Sequence, residues 1–284
     1  MKNSFCAAMV AVCVLFTGSV SAQEKTNAPK NKKRRSVTIS NHGIRIEETD
    51  SSKTKIGKLD TASQESKSRF TTSIGPCDIG INILADNTNY ADPSVRSYLH
   101  VPAAQQNKSL FDLRQGKSIN VNVYPIMVSY KAVNTHGQRI YISTGIGLQL
   151  YNFRFESPLT FTKNPAGVML DTISFKKDKL GLDYINVPLM LTFKTRISGK
   201  NWLVYGFGIT EGYLVAAWNK QVSGARGQVK VHDKFGLADF NTCVSAEIGW
   251  QDGFRFYATY QLTSLYNNGI DLHPFSFGLR FSGI

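Results

Sequence analysis

The chain has 284 residues, carries a formal net charge of +13, and is 42% hydrophobic and 11% aromatic. Beyond its N-terminal leader no stretch reaches the roughly 18 uninterrupted apolar residues that a spanning helix needs, which excludes a helical membrane protein. Two of the four cysteines lie in that leader, leaving Cys77 and Cys243, too few and too far apart for a disulfide framework.

The leader places Lys2 before an apolar run to Phe16 and ends on the small residues Val20-Ser21-Ala22. This is the layout of a secretory signal peptide, residues 1–22, cleaved after Ala22. Cys6 and Cys13 sit inside the apolar run and Val12 is not small, so a lipoprotein signal fits poorly.

Residues 23–69 form a basic tail with twelve Lys or Arg against six Asp or Glu, including KNKKRR at 30–35. Such a run in a cytosolic protein suggests nucleic acid. Export removes that partner and leaves a solvated linker, or an acidic surface of lipid head groups, polysaccharide or cell-wall polymer. The tail is poor in core-forming residues and reads as mostly flexible. Within it, residues 36–48 place Val37 and Ile39 before Asn41-His42-Gly43 and Ile44 and Ile46 after, a weak hairpin.

From Phe70 the composition turns to Gly, Tyr, Phe and alternating β-formers. Eight strands are predicted, over residues 71–84, 118–131, 139–155, 180–194, 201–218, 240–251, 254–266 and 274–281. Alternation is clearest in NTCVSAEIGWQDGFRFYATYQL, residues 241–262. Val244, Ile248, Phe256 and Tyr260 fall on one face, Glu247, Gln251, Arg255 and Gln261 on the other, and Asp252-Gly253 suits a tight turn. Alternation alone does not say which face looks inward. The connections do: those after strands one, three, five and seven are long, and those after two, four and six are short. That is the construction of an outer-membrane barrel, with turns periplasmic and loops outside.

Aromatic placement agrees. Trp202, Trp250, Phe254 and Phe281 fall at the short-turn rim, and Tyr151, Phe153, Phe155, Tyr213, Trp218, Phe240 and Tyr266 toward the other, as two interfacial girdles. The expected fold is therefore all-β: an eight-stranded antiparallel up-and-down transmembrane β-barrel over 70–284 with a flexible basic N-terminal tail. The tail and the C-terminus are expected to be periplasmic.

Five segments, DIGINIL (78–84), VYPIMVSY (123–130), ISTGIGLQLYNFRF (142–155), KLGLDYINVPLMLTF (179–193) and FSFGLRF (275–281), together resemble the PorT-like outer-membrane β-barrel proteins of Bacteroidota. The element that carries the resemblance furthest is Tyr184-Ile185-Asn186-Val187-Pro188-Leu189, since a strand-interior proline removes a ladder donor. The resemblance implies an eight-stranded barrel inserted by the outer-membrane assembly machinery, and it does not imply an enzymatic activity. It carries over no functional residues. Glu211 departs from the family pattern, in phase with Leu203, Tyr205, Phe207 and Ile209 on the lipid face. A local bulge turning it inward is the simplest expectation.

An eight-stranded barrel is just wide enough for its own side chains. The inward set includes Tyr184, Asn186, Asn241 and Ser245 with the small Gly145, Gly147, Gly206 and Gly208. Glu247 should pair with Arg255 or Arg280, with Gln251 and Gln261 completing a filled polar lumen, because an unpaired buried charge is expensive. The histidines 42, 100, 136, 232 and 273 show no metal-ligand spacing, and no serine is tied by spacing to His232 or His273. No catalytic, cofactor or metal site is therefore expected. Cys77 faces lipid and Cys243 the lumen on strands that are not neighbours, so both should be free thiols.

The expected function is a non-enzymatic structural, adhesion or secretion-accessory role acting through loops or tail. The alternative is a lipid-modifying enzyme or narrow transport barrel. Tyr90, Tyr98, Leu99 and Phe111 in the first long loop are the candidate contacts to a cell-surface or secretion-system protein. Membrane lipid and the assembly machinery are the other expected partners.

Overall fold

A computed structural model describes residues 69–281, together with the backbone of strands β1 (Arg34–Ser40) and β2 (Gly43–Thr49). The signal-peptide reading and the rest of the tail lie outside the described residues. Strands β1 and β2 pair with each other as a two-stranded sheet.

The barrel domain is a closed antiparallel ring of β4 (Cys77–Asp86), β6 (Ile119–Asn134), β7 (Gln138–Arg154), β10 (Lys177–Ser198), β11 (Asn201–Ser223), β13 (Phe240–Trp250), β14 (Phe254–Gln261) and β15 (Leu272–Phe281). Each strand pairs with its sequence neighbour, and β15 closes the ring on β4, from Leu272 opposite Asp86 to Phe281 opposite Cys77. Turns of two or three residues join β6 to β7, β10 to β11 and β13 to β14 at one rim. The four long connections lie at the other rim, as the loop pattern predicts.

The apolar face looks out. Ile185, Val187 and Leu189 on β10, Phe207 and Ile209 on β11, Val244 and Ile248 on β13, and Phe256 on β14 are exposed. On β10 this band runs from Phe193 to Asp183, the first outward charge. Ten residues at roughly 2.5 Å of height per tilted residue give about 25 Å, the thickness of an outer-membrane apolar band. Water would expel so continuous an apolar surface, so the chain is an outer-membrane-type β-barrel.

Several details differ from the sequence expectation. The first strand is broken: β3 (Phe70–Ser73) and β4 both pair with β6, separated at residues 74–76 opposite an irregularity between Val123 and Ile126. Pro76 and Pro125 supply no amide donor there, and Gly75 N–H bridges to the Tyr124 carbonyl at 2.8 Å. Pro188 acts likewise, the β10–β7 ladder pausing between Asn186 and Leu189 while the β10–β11 ladder continues.

Glu211 is not turned inward. The register shift in this region falls between Asp183 and Tyr184, and Glu211 keeps its outward phase between Val187 and Thr242. It sits one row inside the girdle formed by Tyr213 and Phe240, where the Thr242 hydroxyl donates to its Oε2 at 2.7 Å. A charge this near the rim, with a local donor, costs far less than one at mid-membrane.

The girdles are also thinner than predicted. Trp250, Phe254 and Phe281 face out at the short-turn rim, but Trp202 is buried inside the barrel. Its ring lies between the guanidiniums of Arg139 and Arg196, whose Cζ atoms are 4.4 and 5.0 Å from the ring centre. At the other rim Tyr151, Phe153, Phe155 and Tyr266 are buried, leaving Tyr213 and Phe240 as the exposed pair. These inward aromatics belong to a second structural layer, the cap.

The long connections fold into that cap. The first carries helix α1 (Pro93–Tyr98), whose N-terminus is closed by Asp92 accepting from Ser94 N–H at 2.8 Å. Strand β5 (Leu99–His100) then pairs in parallel with β9 (Ala166–Leu170), itself the hairpin partner of β8 (Leu159–Lys163). Strand β12 (Gly227–His232) folds back along the end of β11. Tyr98 donates its hydroxyl to the Phe235 carbonyl at 2.6 Å, and isolated bridges join Leu113 to Phe155 and Leu237 to Tyr266.

Candidate functional site

The inside of the barrel has two chemically distinct halves. The half nearer the short turns holds charge. Arg280 on β15 grips Asp78 on β4 bidentately, Nε to Oδ1 at 2.7 Å and Nη2 to Oδ2 at 2.8 Å. Its third nitrogen, Nη1, donates to Glu247 Oε2 at 3.2 Å, and Arg255 Nη1 donates to the same oxygen at 2.8 Å. The Thr192 hydroxyl reaches Glu247 Oε1 at 3.3 Å, and Asn122 Nδ2 donates to Asp78 Oδ2 at 3.1 Å. Two carboxylates thus face two guanidiniums in a chain, Asp78–Arg280–Glu247–Arg255.

The structure therefore brings together Glu247, Arg255 and Arg280, with Glu247 paired to both arginines. Gln251 and Gln261 stand apart from this chain. Gln251 lies at the β13–β14 turn, while Gln261 is farther up the barrel and donates from Nε2 to the Thr263 carbonyl at 3.1 Å. Asp78 is the member that sequence reasoning missed. Its signal was available: it alternates against the exposed Ile79 and is the register partner of Arg280.

Aromatic rings fill the space around the charges. Tyr124 and Tyr257 each lie 5.8 Å from the Arg280 guanidinium, and Tyr257 donates its hydroxyl to Asn120 Oδ1 at 2.9 Å. Two glycines make room for them. A Cβ at Gly147 would lie 2.6 Å from the Tyr124 ring, and one at Gly80 would lie 2.4 Å from the Tyr257 hydroxyl. Neither approach is sterically possible for a larger residue without displacing the ring.

The half nearer the loops is apolar, which corrects the expectation of a polar lumen throughout. Tyr151, Phe153, Leu180, Leu182, Tyr184 and Leu214 point inward from the strand extensions and merge with residues of all four connections into one buried cluster. The reason is height: β10 and β11 continue well beyond the apolar band, so the barrel there has polar surroundings outside and a hydrophobic core inside.

This core claims three of the four predicted loop contacts. Tyr98, Leu99 and Phe111 are buried at 5%, 2% and 2% exposure, and Tyr90 is half-buried with its hydroxyl donating to Asp86 Oδ2 at 2.6 Å. Tyr98, Leu99 and Phe111 hold the cap together and offer almost no surface to a partner. Phe111 meets Phe155 edge-on at 6.2 Å and Tyr266 at 6.4 Å between ring centres.

One buried carboxyl lies beneath the β8–β9 hairpin. Asp178, on the part of β10 beyond the apolar band, is 5% exposed and accepts from Asn219 Nδ2 at 3.0 Å. Burial is the largest influence on it and raises its pKa from 3.8 to about 7, against the opposing hydrogen bonds from Asn219, Leu159 and Gln221. An acid raised in the folded state contributes stability in full below its unfolded pKa. That stability is lost as pH climbs from about 4 through about 7. Amide exchange in β8 and β9, corrected for its intrinsic pH dependence, should therefore slow on going from pH 8 to pH 5. In Asp178→Asn the same protection should be flat with pH. A wild-type profile already flat over that range counts against the assignment.

Of the two histidines weighed for a hydrolytic pair, His232 and His273, the second has both ring nitrogens engaged elsewhere. His273 Nε2 lies 2.9 Å from Asp271 Oδ1 and its Nδ1 lies 3.0 Å from the Gln261 carbonyl oxygen, so both ring nitrogens are engaged away from any serine. His232 packs against the Trp218 ring, and His136 meets Arg196 in the short turn at 2.9 Å. Among the described residues no three of His, Cys, Asp or Glu converge as a metal site. Cys77 on β4 and Cys243 on β13 are not joined by a disulfide.

No family model matches the chain, and no curated protein matches it. Among solved structures it is similar to Ail, the attachment invasion locus protein of Yersinia pestis, at 12% identity and a TM-score of 0.25. That likeness covers 75% of this chain and 97% of Ail. The barrel assignment rests on this chain's own strand order, closed register and outward apolar band.

Proposed function

We propose that the protein is a non-enzymatic outer-membrane barrel of PorT-like type that presents its folded cap outside the cell, as an adhesion or secretion-accessory component. Its partner in this reading is a cell-surface or secretion-system protein. The observation that carries it is the double closure of the barrel interior. A neutral chain of paired charges fills one half and a hydrophobic core shared by all four connections fills the other. A transport barrel needs a wetted path, and a core of this kind opposes one. What the fold invests in is a compact structure on the loop side, where recognition surfaces are carried by rigid scaffolds.

A deletion strain separates the readings. Lost secretion or lost adhesion, with unchanged lipid A mass spectra, is the expected result. Purified protein in planar bilayers should show no steady single-channel conductance. Altered lipid A acylation in the deletion strain supports the enzymatic alternative, and steady conductance supports transport; either result overturns the proposal.

A further inference from the structure

Beyond the apolar band the outward face of the barrel turns basic along one row. Register aligns Lys179 on β10 with Lys220 on β11, and Lys220 with Lys230 on β12. Directly opposite residues in antiparallel strands have Cβ atoms about 4.5–5.5 Å apart, so like charges placed there repel. Arg154 is the register partner of Lys179 on its other side, and Lys177 lies one outward step above it.

The row below is Gly181, Trp218 and His232. The Trp218 ring lies across Gly181, where a Cβ would come within 2.3 Å of it. Lys230 Nζ stands 4.5 Å and Lys179 Nζ 6.0 Å from the ring centre. The Asp183 carboxylate is within electrostatic reach of both lysines. Burial, and then the charges of Lys177, Lys220 and Lys230, lower the Lys179 pKa to about 8. Among the described residues none of these four lysines makes a salt bridge to a carboxylate, although Lys179 donates to Asn152 Oδ1.

Height then selects the ligand. Lys179 is four residues past Asp183, about 10 Å above the apolar band, and Trp218 stands about 5 Å above it. The row faces sideways, over the same strand faces that carry Ile185, Val187 and Ile209 into the lipid. A group meeting it at that depth comes from the surrounding leaflet, and four or five clustered cations require it to be anionic. Tryptophan is the residue that settles at this interface.

We propose that Lys179, Lys220 and Lys230, with Trp218 beneath them and Lys177 and Arg154 at the edges, bind a phosphorylated lipid head group of the outer leaflet. Phosphate offers several strong acceptor oxygens to converging ammonium groups and relieves their mutual repulsion. The site rests on the loop side facing outward and is independent of which protein the cap recruits. Lipid binding and partner recruitment are therefore able to fail separately.

The test uses the purified full chain in a neutral detergent, its fold checked by the heat-modifiable gel shift, titrated at low salt with bisphosphorylated lipid A and read by native mass spectrometry. A lysine at an anionic membrane surface is worth roughly fivefold in affinity, so K179Q/K220Q/K230Q should bind about a hundredfold more weakly. Lipid A stripped of its phosphates should lose a comparable factor on the wild type. The control K108Q/K117Q, two exposed cap lysines elsewhere, should bind as the wild type does. If the triple variant does not fold, K220Q alone should weaken binding about fivefold. Equal binding by the folded triple variant or by unphosphorylated lipid A overturns the proposal. So does an equal loss in the control, or displacement of the lipid by millimolar inorganic phosphate alone.

Discussion

Arg280→Met should lower the unfolding free energy of the barrel by about 3–5 kcal/mol, the usual cost of removing one partner from a buried charge network. Arg280 is 4% exposed and makes three of the four charge contacts in the Asp78–Arg280–Glu247–Arg255 chain. Methionine keeps much of the aliphatic stem packed between Tyr124 and Tyr257, so the loss is mostly electrostatic. Asp78, fully buried, then keeps the hydrogen bond from Asn122, and Glu247 those from Arg255 and Thr192. The double variant Asp78→Asn, Arg280→Met removes both charges together and should recover most of the loss. Urea unfolding of vesicle-inserted protein, followed by the gel shift, measures both. A single-variant loss under about 1 kcal/mol, the scale of an exposed ion pair, would show that water reaches the network.

Phe111→Ala should cost the cap about 3–5 kcal/mol while leaving the transmembrane barrel closed. Phe111 sits where the first connection meets Phe155 of the second and Tyr266 of the fourth. Its deletion opens a cavity that these rings cannot fill without pulling the connections apart. Proteolysis and amide exchange should accelerate over residues 87–118, 155–176 and 262–271 together. The heat-modifiable shift, which reports the ladders of the ring, should be retained. A partner-contact residue, the role that the exposed-loop expectation assigned to Phe111, would change neither measurement. Unchanged protection in all three segments would therefore restore that expectation.

These two residues show how differently the two halves of the molecule were legible. Glu247, Arg255 and Arg280 alternate cleanly against Ile248, Phe256 and Leu279, so their common face follows from period two alone. Asp78 alternates in the same way. It was missed because DIGINIL carries one charge among apolar residues and glycines, and a single charge makes a weak pattern. Phe111 and Tyr98 lie in a connection with no period at all, where an apolar residue reads equally as a contact or as core. Trp202 and Tyr151 were placed at the right rims but on the wrong side of the wall. Distance along a strand sets height, whereas phase sets the side of the wall.

The lysine row has a similar lesson. Lys179, Lys220 and Lys230 are scattered over 52 positions of sequence, and no spacing rule joins them. They become neighbours through the β10–β11 register and the return of β12, a strand hidden inside what reads as a long loop. A bulge at Val215 also matters, since it shifts the alternation so that Trp218 and Lys220 face out while Leu214 faces in.

By itself, the sequence determined the ring of eight strands, the lipid-facing side, which rim carries the long connections, and the sign of the charges inside. Each of these depends on local quantities: period two, turn chemistry and segment length. Only the tertiary structure decided that Arg280 bridges Asp78 and Glu247, that the loops close into one hydrophobic cap, and that a basic row stands just above the membrane band. Those features depend on register between strands far apart in the chain and on how connections without periodicity bury their apolar residues. Hydrophobic burial is non-directional, so it chooses its partners only once the barrel has fixed which segments meet.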